Sequence, residues 1–192
     1  VDLTNLQRQI AHSTARVGQA KVESAAAAMR DINPQIRIET HAQRADGALL
    51  DRLVAPADVV IDCSDNFATR HAVNRACVAH AKPLVAGAAI RFDGQLCVYD
   101  TRDAACPCYA CLFPPEASFE ETRCAVLGVF GPVVGTIGTL QASEALKLLA
   151  GIGPSLAGKL LMFDGRSTGF DTLRVSRDPH CSVCAQRPQA GA

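Results

Sequence analysis

Cys108 and Cys111, and again Cys181 and Cys184, stand at the Cys-x-x-Cys spacing that lets two thiolates grip one side of a metal ion. Both pairs sit in short loop-like settings, Pro107-Cys108-Tyr109-Ala110-Cys111 and Pro179-His180-Cys181-Ser182-Val183-Cys184. Together they complete a tetrahedral four-sulfur shell for Zn2+. A shell closed in this way leaves no position for water, so the expected role is structural, tying the end of the chain to its middle. On spacing alone Cys106 is a rival ligand in Cys-x-Cys-x-x-Cys, and His180 competes in the second pair. Two disulfides are the alternative reading. An odd total of nine cysteines, with no signal-peptide pattern, favours a metal in a reducing cytoplasm instead.

Three further places carry residues suited to phosphate chemistry. Thr4-Asn5-Leu6-Gln7-Arg8-Gln9 is a dense polar cluster, which reads either as a helix cap with an exposed arginine or as an anion site. Lys21 falls in the first turn of a helix, where its charge opposes the helix dipole. That placement suits an anionic ligand, and the plain alternative is a solvated lysine. Asp62-Cys63-Ser64-Asp65-Asn66 follows a buried strand at its carboxyl end, where open α/β sheets bind ligands. Asp65 is there either as the N-cap of the next helix or as a carboxylate for Mg2+.

The elements that must position these residues are legible from periodicity and punctuation. Val17–Ile32 reads as a helix stopped by Asn33-Pro34, since proline disfavours helix in the residue before it. Ile36, Ile38 and Thr40 alternate with polar residues as a strand does. A short helix over Asp46–Val54, a strand over Ala57–Cys63 covered on both faces, a helix over Asn66–Ala81 and a strand over Pro83–Ile90 follow. Asp93-Gly94 is expected to turn the chain into Gln95–Tyr99. Ala104–Arg123 reads as a long ordered loop. A helix from Pro132 to Ala150 is opened by proline and closed by Gly151, with Gly135 and Gly138 on one side where a neighbour can approach. A last hairpin runs through Leu160–Phe163 and Phe170–Val175 about Asp164-Gly165. Cys63, Cys77 and Cys97 fall in core patterns as small packed hydrophobes.

The alternation of strand and helix predicts an α/β fold, a Rossmann-like, mostly parallel sheet continuing into antiparallel strands, with a four-cysteine zinc site. Residues 1–185 are expected to form one domain and 186–192 a frayed tail. The 19 basic and 19 acidic residues balance. That argues against a nucleic-acid or membrane-surface partner held by bulk charge. The apolar run Val129–Gly138 is too short to span a bilayer, so a soluble protein is expected.

Taken in order, five motifs resemble one family. They are Thr-Asn-Leu-Gln-Arg-Gln, Val-Gly-Gln-Ala-Lys-Val-Glu, Asp-Cys-Ser-Asp-Asn-Phe-x-Thr-Arg, Gly-Ala-Ala-Ile-Arg-Phe-x-Gly-Gln, and the two cysteine pairs. The family is the MoeB/ThiF/HesA group of adenylyltransferases, relatives of ubiquitin-activating enzymes that activate ubiquitin-like sulfur-carrier proteins. The resemblance implies ATP lying across the carboxyl edge of the sheet, and a carrier protein whose Gly-Gly terminus is adenylylated. It places Thr4, Asn5, Leu6, Gln7, Arg8, Lys21, Asp65 and Asn66 on the nucleotide. Arg8 and Lys21 would offset phosphate charge, and Asp65 would position Mg2+ with Asn66 beside it. Cys108, Cys111, Cys181 and Cys184 match the zinc ligands.

Cys124, next to Arg123, matches a cysteine that some members use for a covalent carrier adduct or sulfur relay. A loop thiol without chemistry is the alternative. The resemblance further implies a homodimer, and it does not choose between molybdopterin and thiamine biosynthesis. The family's glycine-rich loop and ribose-binding carboxylate have no counterpart within the 192 residues. These residues alone are therefore expected to hold ATP weakly. A zinc-stabilised pseudo-enzyme that binds a carrier or a complete subunit is the second reading. An ordinary dinucleotide oxidoreductase is disfavoured by the lack of Gly-x-Gly-x-x-Gly.

Overall fold

The structure, a computed structural model, describes residues 1–117 and 128–187. It divides into two compact units, Val1–Arg44 and Ala45–Ala192.

In the first unit Asp2 caps a 3-10 turn over Leu3–Asn5, and a second such turn spans Thr14–Arg16. Helix α1 runs Lys21–Ile32, four residues shorter at its start than the sequence suggests. Gly18 takes φ +87°, outside helical geometry, and its N–H bonds the Val1 carbonyl at 2.9 Å. The residues from Val17 to Ala20 thus fold back on the chain start instead of extending the helix. The helix ends at Asn33 before Pro34, as expected. Its buried face is small, Ser24 and Ala26, and a local polar network holds it. The Arg16 guanidinium donates to the Ser24 carbonyl at 2.7 Å, and His12 Nδ1 meets Ser24 Oγ at 2.8 Å. The strand expected at Ile36, Ile38 and Thr40 does not form, because the segment has no ladder partner among the described residues. Alternation alone does not satisfy a strand's backbone groups.

The second unit is a sheet with helices on both faces. Asp46 caps α2 (Gly47–Val54), its Oδ1 accepting the Leu49 N–H at 2.8 Å. Then come β1 (Val60–Asp62), α3 (Phe67–Ala79), β2 (Leu84–Ile90), β3 (Asp93–Tyr99), α4 (Tyr109–Leu112), α5 (Gly131–Ala150), β4 (Lys159–Asp164) and β5 (Gly169–Arg174). The five strands lie in the order β1-β2-β3-β4-β5. The first pair is parallel and the rest antiparallel, so the expected change of direction occurs, with one parallel pairing among the described residues. β1 is shorter than the apolar run around it, and its Ile61 is 45% exposed. This edge strand is therefore not covered on both faces.

The hairpin between β2 and β3 turns at Arg91-Phe92 rather than Asp93-Gly94, since Ile90 pairs with Asp93. Packing explains the difference. A Cβ on Gly94 would meet Ile137 Cγ1 at 2.5 Å, so glycine is needed inside the strand beneath α5. Arg91 takes φ +51°, and its backbone is held by bonds to Gly128 and Phe130. Helix α5 carries proline in its first turn and ends on Gly151 at φ +64°, the expected asymmetry.

One sheet face packs Val85, Leu96 and Val98 against Ala145 of α5. The other packs Leu84, Cys97, Tyr99 and Leu160 against Leu50 and Val54 of α2, Val73 and Ala76 of α3, and Tyr109 of α4. Cys77 and Cys97 are core residues, as expected, and burial pushes each thiol up to about 12, whereas Cys63, expected in the core as well, is exposed because it falls just past the end of β1. Among the described residues no helix is long and apolar enough to cross a membrane.

Candidate functional site

Four sulfurs converge at one end of the second unit. Cys108 and Cys111 flank the start and body of α4, while Cys181 and Cys184 lie in the turns that follow Pro179. Their Sγ atoms all lie within 4.8 Å of one another. The separations are 3.7 Å for Cys108–Cys181, 3.9 Å for Cys108–Cys111 and 3.5 Å for Cys111–Cys184. A tetrahedral ion with Zn–S bonds of about 2.3 Å spaces its sulfurs about 3.8 Å apart. The quartet fits such an ion, and the spacing is far too long for disulfide bonds. Hydrogen bonding within the quartet draws the Cys111 thiol down to about 5 and pushes Cys108 up. The rivals stay outside. Cys106 Sγ accepts the Asp100 N–H at 3.3 Å, and His180 is exposed.

The groups around the sulfurs explain why they meet. The guanidinium of Arg177 donates to the carbonyls of Ala104 at 2.7 Å and Cys184 at 2.6 Å. Arg187 donates to the carbonyls of Thr101 and Cys106. These two arginines fasten the C-terminal segment to the loop that carries the first cysteine pair. Fully buried Asn74 of α3 donates to Cys108 Sγ at 3.6 Å and accepts the Tyr109 N–H at 2.9 Å.

At the carboxyl end of β1 the structure separates two roles that the sequence left open. Asn66, not Asp65, caps α3, its Oδ1 accepting the Thr69 N–H at 2.8 Å. Asp65 is exposed and makes no hydrogen bond or ion pair among the described residues, so both its oxygens are available. The loop beneath it is held firmly. Asp62 Oδ1 accepts the Ser64 N–H at 2.8 Å, and Arg70 donates through Nε and Nη2 to the Ser64 carbonyl at 3.2 and 2.8 Å. From α5, buried Gln141 donates to the Asp62 carbonyl at 2.9 Å and accepts from the Cys63 thiol at 3.7 Å. A carboxylate presented freely on a fixed loop suits a hard cation such as Mg2+.

In the first unit Thr4, Asn5, Leu6, Gln7 and Arg8 share one turn. The cap is Asp2, which takes the Thr4 N–H at 2.8 Å and the Thr4 hydroxyl at 2.6 Å, while Asn5 Oδ1 accepts the Asp2 N–H at 3.2 Å. The Asn5 amide nitrogen makes no hydrogen bond among the described residues. Arg8 Nη1 bonds the Thr4 carbonyl at 3.1 Å. Lys21 is exposed at the first position of α1, whose N-cap, Ala20, offers no side-chain acceptor. Backbone bonding of Gly18 to Val1 ties these two cationic stretches together within the unit. The arrangement suits an anion. Cys124 lies outside the described residues.

A groove opens over the sheet on the α3–α4 face. It is lined by Ala86, Gly87 and Ala88 of β2 and by Arg70, Tyr109 and Phe113, among others. Arg70 closes the Asp-Cys-Ser-Asp-Asn-Phe-x-Thr-Arg motif without a role of its own in the sequence reading, and Asn74, Tyr109 and Gln141 carry no sequence signal for one. Each sits at helical spacing or between cysteines, where its type has an ordinary explanation.

Residues 1–183 match the ThiF family. The chain belongs to that family. The molybdopterin-synthase adenylyltransferase of Escherichia coli (strain K12) is 46% identical over 188 residues, which is 97% of this chain and 74% of that protein. The adenylyltransferase and sulfurtransferase MOCS3 of Drosophila ananassae is 45% identical over 190 residues, 98% of this chain and 42% of that protein. The ThiF-family chain thus spans less than half the length of the MOCS3 relatives. The crystal structure of E. coli MccB with ATP shares the fold, with TM-score 0.80 at 22% identity over 97% of this chain and 57% of that one.

Proposed function

We propose that this ThiF-family chain forms part of an ATP-dependent adenylyltransferase that activates the C-terminal Gly-Gly carboxylate of a ubiquitin-like sulfur-carrier protein. The observation that carries the reading is Asp65, exposed and unengaged on a loop whose helix is capped by the next residue. Both relatives, at 45% and 46% identity, are named as adenylyltransferases, and the name of the second, a molybdopterin-synthase adenylyltransferase, supports the molybdopterin branch over thiamine.

In the proposed reaction a carboxylate oxygen of the carrier attacks the α-phosphorus of ATP, the bond to the bridging oxygen breaks, and pyrophosphate leaves with that electron pair. The product is an acyl adenylate. No general base is needed, because the nucleophile is already ionised. The difficulty is that an anion approaches a polyanion, so fixed positive charge must gather there. Asn5, Arg8 and Lys21 would bind the phosphates, with Thr4, Leu6 and Gln7 of the same turn lining the nucleotide. Asp65 would hold Mg2+, which when bound offsets phosphate charge, with Asn66 beside it as the cap of α3. The four cysteines would hold Zn2+ as a structural tie, and four thiolates require a reducing compartment such as the cytoplasm. A homodimer is the proposed assembly, supported by the exposed Leu146 and Leu149 on α5. Cys124 would serve a later covalent or sulfur-relay step.

The test is ATP–pyrophosphate exchange by the full-length protein with a Gly-Gly-ended carrier. Exchange that requires the carrier and falls on Asp65→Ala by about a hundredfold or more supports the reading. Exchange unaffected by Asp65→Ala rejects it. Cys124→Ser is expected to leave exchange intact and to remove any covalent carrier adduct.

A further inference from the structure

One histidine of the first unit stands among its cations. His12 is half-buried, and its Nδ1 shares a 2.8 Å hydrogen bond with Ser24 Oγ, the hydroxyl of a fully buried residue of α1. Ser24 lies three residues past Lys21, so the two share a helix face one turn apart. The same serine is held from a second side. Arg16 Nη1 donates to its carbonyl at 2.7 Å and to the carbonyl of Ala11, the neighbour of His12, at 3.3 Å. His12, Arg16 and Ser24 thus brace the turn that presents Lys21.

The charges that face the ring are of one sign. They are Lys21, the Val1 amino group and Arg16, and no carboxylate opposes them among the described residues. Asp31 is an ion-pair partner of Arg16, at 3.7 Å. Burial first, then Lys21, holds the His12 pKa below the ordinary histidine value, so the ring is neutral at neutral pH. Lys21 makes no hydrogen bond or ion pair among the described residues, and the N–H groups of Lys21, Val22 and Glu23 have no backbone acceptor there. The side of the brace that carries Lys21 is therefore short of negative charge.

The brace tolerates either charge state of the ring. When Nδ1 accepts the Ser24 hydroxyl proton, a second proton on the ring goes to Nδ1 and reverses that bond. The hydroxyl then turns to the Ala20 carbonyl, one turn back on the helix, an acceptor that serine commonly uses. His12 can gain a charge without releasing Ser24.

We propose that His12 is a positioning residue for phosphate binding, bracing Lys21 through Ser24 and taking a proton from solvent as the anion arrives. An anion held by Lys21 offsets the charge that keeps the ring neutral. The protonated ring then sets a further positive charge behind the site. No bond of the nucleotide changes in this step. The proposal rests on the phosphate-binding part of the adenylation reading and deepens it, giving the first unit a response to pH. The sign follows from linkage. The ring's pKa is higher with the anion bound, so binding is tighter below the free value, and the gain fades as pH rises through the bound one.

The test is calorimetry of ATP·Mg2+ binding to the full-length protein, wild type and His12→Gln, in the absence of carrier. Glutamine keeps a hydrogen-bonding group for Ser24 and takes no proton. Comparing the two proteins at each pH cancels the titration of the nucleotide itself. At about pH 8 their affinities should agree, and at about pH 6 the wild type should bind about twofold to fivefold more tightly. A ratio that is the same at both pH values overturns the proposal, and a uniform loss in the variant would mark His12 as a brace alone. Nuclear magnetic resonance of the wild-type histidine rings gives a check that needs no variant to fold. One ring should titrate at higher pH with ATP·Mg2+ than without it, and no such ring overturns the proposal. Failure to bind ATP at any pH would sink this proposal and the adenylation reading together. A pH-dependent ratio without carrier-dependent exchange would count against the adenylation reading alone, and exchange with a flat ratio against this proposal alone.

Discussion

Cys108 Sγ and Cys181 Sγ lie 3.7 Å apart although 73 residues separate them in the chain. Closing so long a loop costs conformational entropy that thiol contacts do not repay, whereas a bound metal does. Cys184→Ser, at a fully buried sulfur, is expected to abolish stoichiometric zinc and lower the thermal midpoint. Cys106→Ser should keep the metal, because that sulfur bonds a backbone N–H instead. Metal analysis of both proteins decides it, and retention in the first with loss in the second would reverse the ligand assignment. Zinc should also dissociate as pH falls, since each ligand must shed its proton to bind.

Asp65 and Asn66 are neighbours with separable roles. Asn66→Ala removes the α3 cap and should cost about 1 kcal/mol of stability. Asp65→Ala removes a side chain that bonds nothing in the described structure, so the denaturation midpoint should stay put while exchange collapses. Equal loss of stability in both variants would show that Asp65 shares the capping load.

His71 supplies a pH dependence. It is 8% exposed, packs edge-on to Tyr109 at 5.2 Å and lies near Arg75 and Glu116. Burial, then Arg75, lowers its pKa, with Glu116 opposing. The unfolded chain therefore takes up the proton first, near the ordinary value of about 6.5. The stability due to neutral His71 is present above that pH and lost as pH falls toward and through the folded value. Urea midpoints should drop across this range in the wild type and drop less in His71→Gln. Parallel curves would assign the acid sensitivity elsewhere.

The element types were largely legible, because long periodic stretches such as α5 and the β-branched core of β2 carry their own signal. The sulfur quartet was legible for a different reason, since ligand spacing is local even when the pairs are distant. What escaped depends on tertiary partners. Ile36, Ile38 and Thr40 alternate like a strand, but a ladder needs a neighbour that no local pattern guarantees. Asp93-Gly94 has turn chemistry, yet Gly94 is required inside β3 because Ile137 occupies the space its Cβ would take. Asn74 and Gln141 read as ordinary polar residues on helices, and only the fold shows that each is buried and bridges two elements.

The contact between Gly87 and Gln141 gives the sharpest packing test. A methyl group at Gly87 would lie 2.4 Å from Gln141 Cδ and Oε1, and that amide cannot retreat without releasing the Asp62 carbonyl. Gly87→Ala should therefore destabilise by about 1–3 kcal/mol through overpacking. It should also disturb exchange, because the loop that presents Asp65 is anchored at Asp62. Gly138 on α5 is the control, since nothing lies within 4 Å of where its Cβ would stand. In a helix interior alanine is favoured over glycine, so Gly138→Ala should stabilise the chain by about 0.5–1 kcal/mol. Denaturant titrations of the two variants separate the cases, because the substitution is the same and only the neighbouring side chain differs. Unchanged stability in Gly87→Ala would mean that Gln141 has room to turn, and the anchor on β1 would then have to come from Arg70 alone.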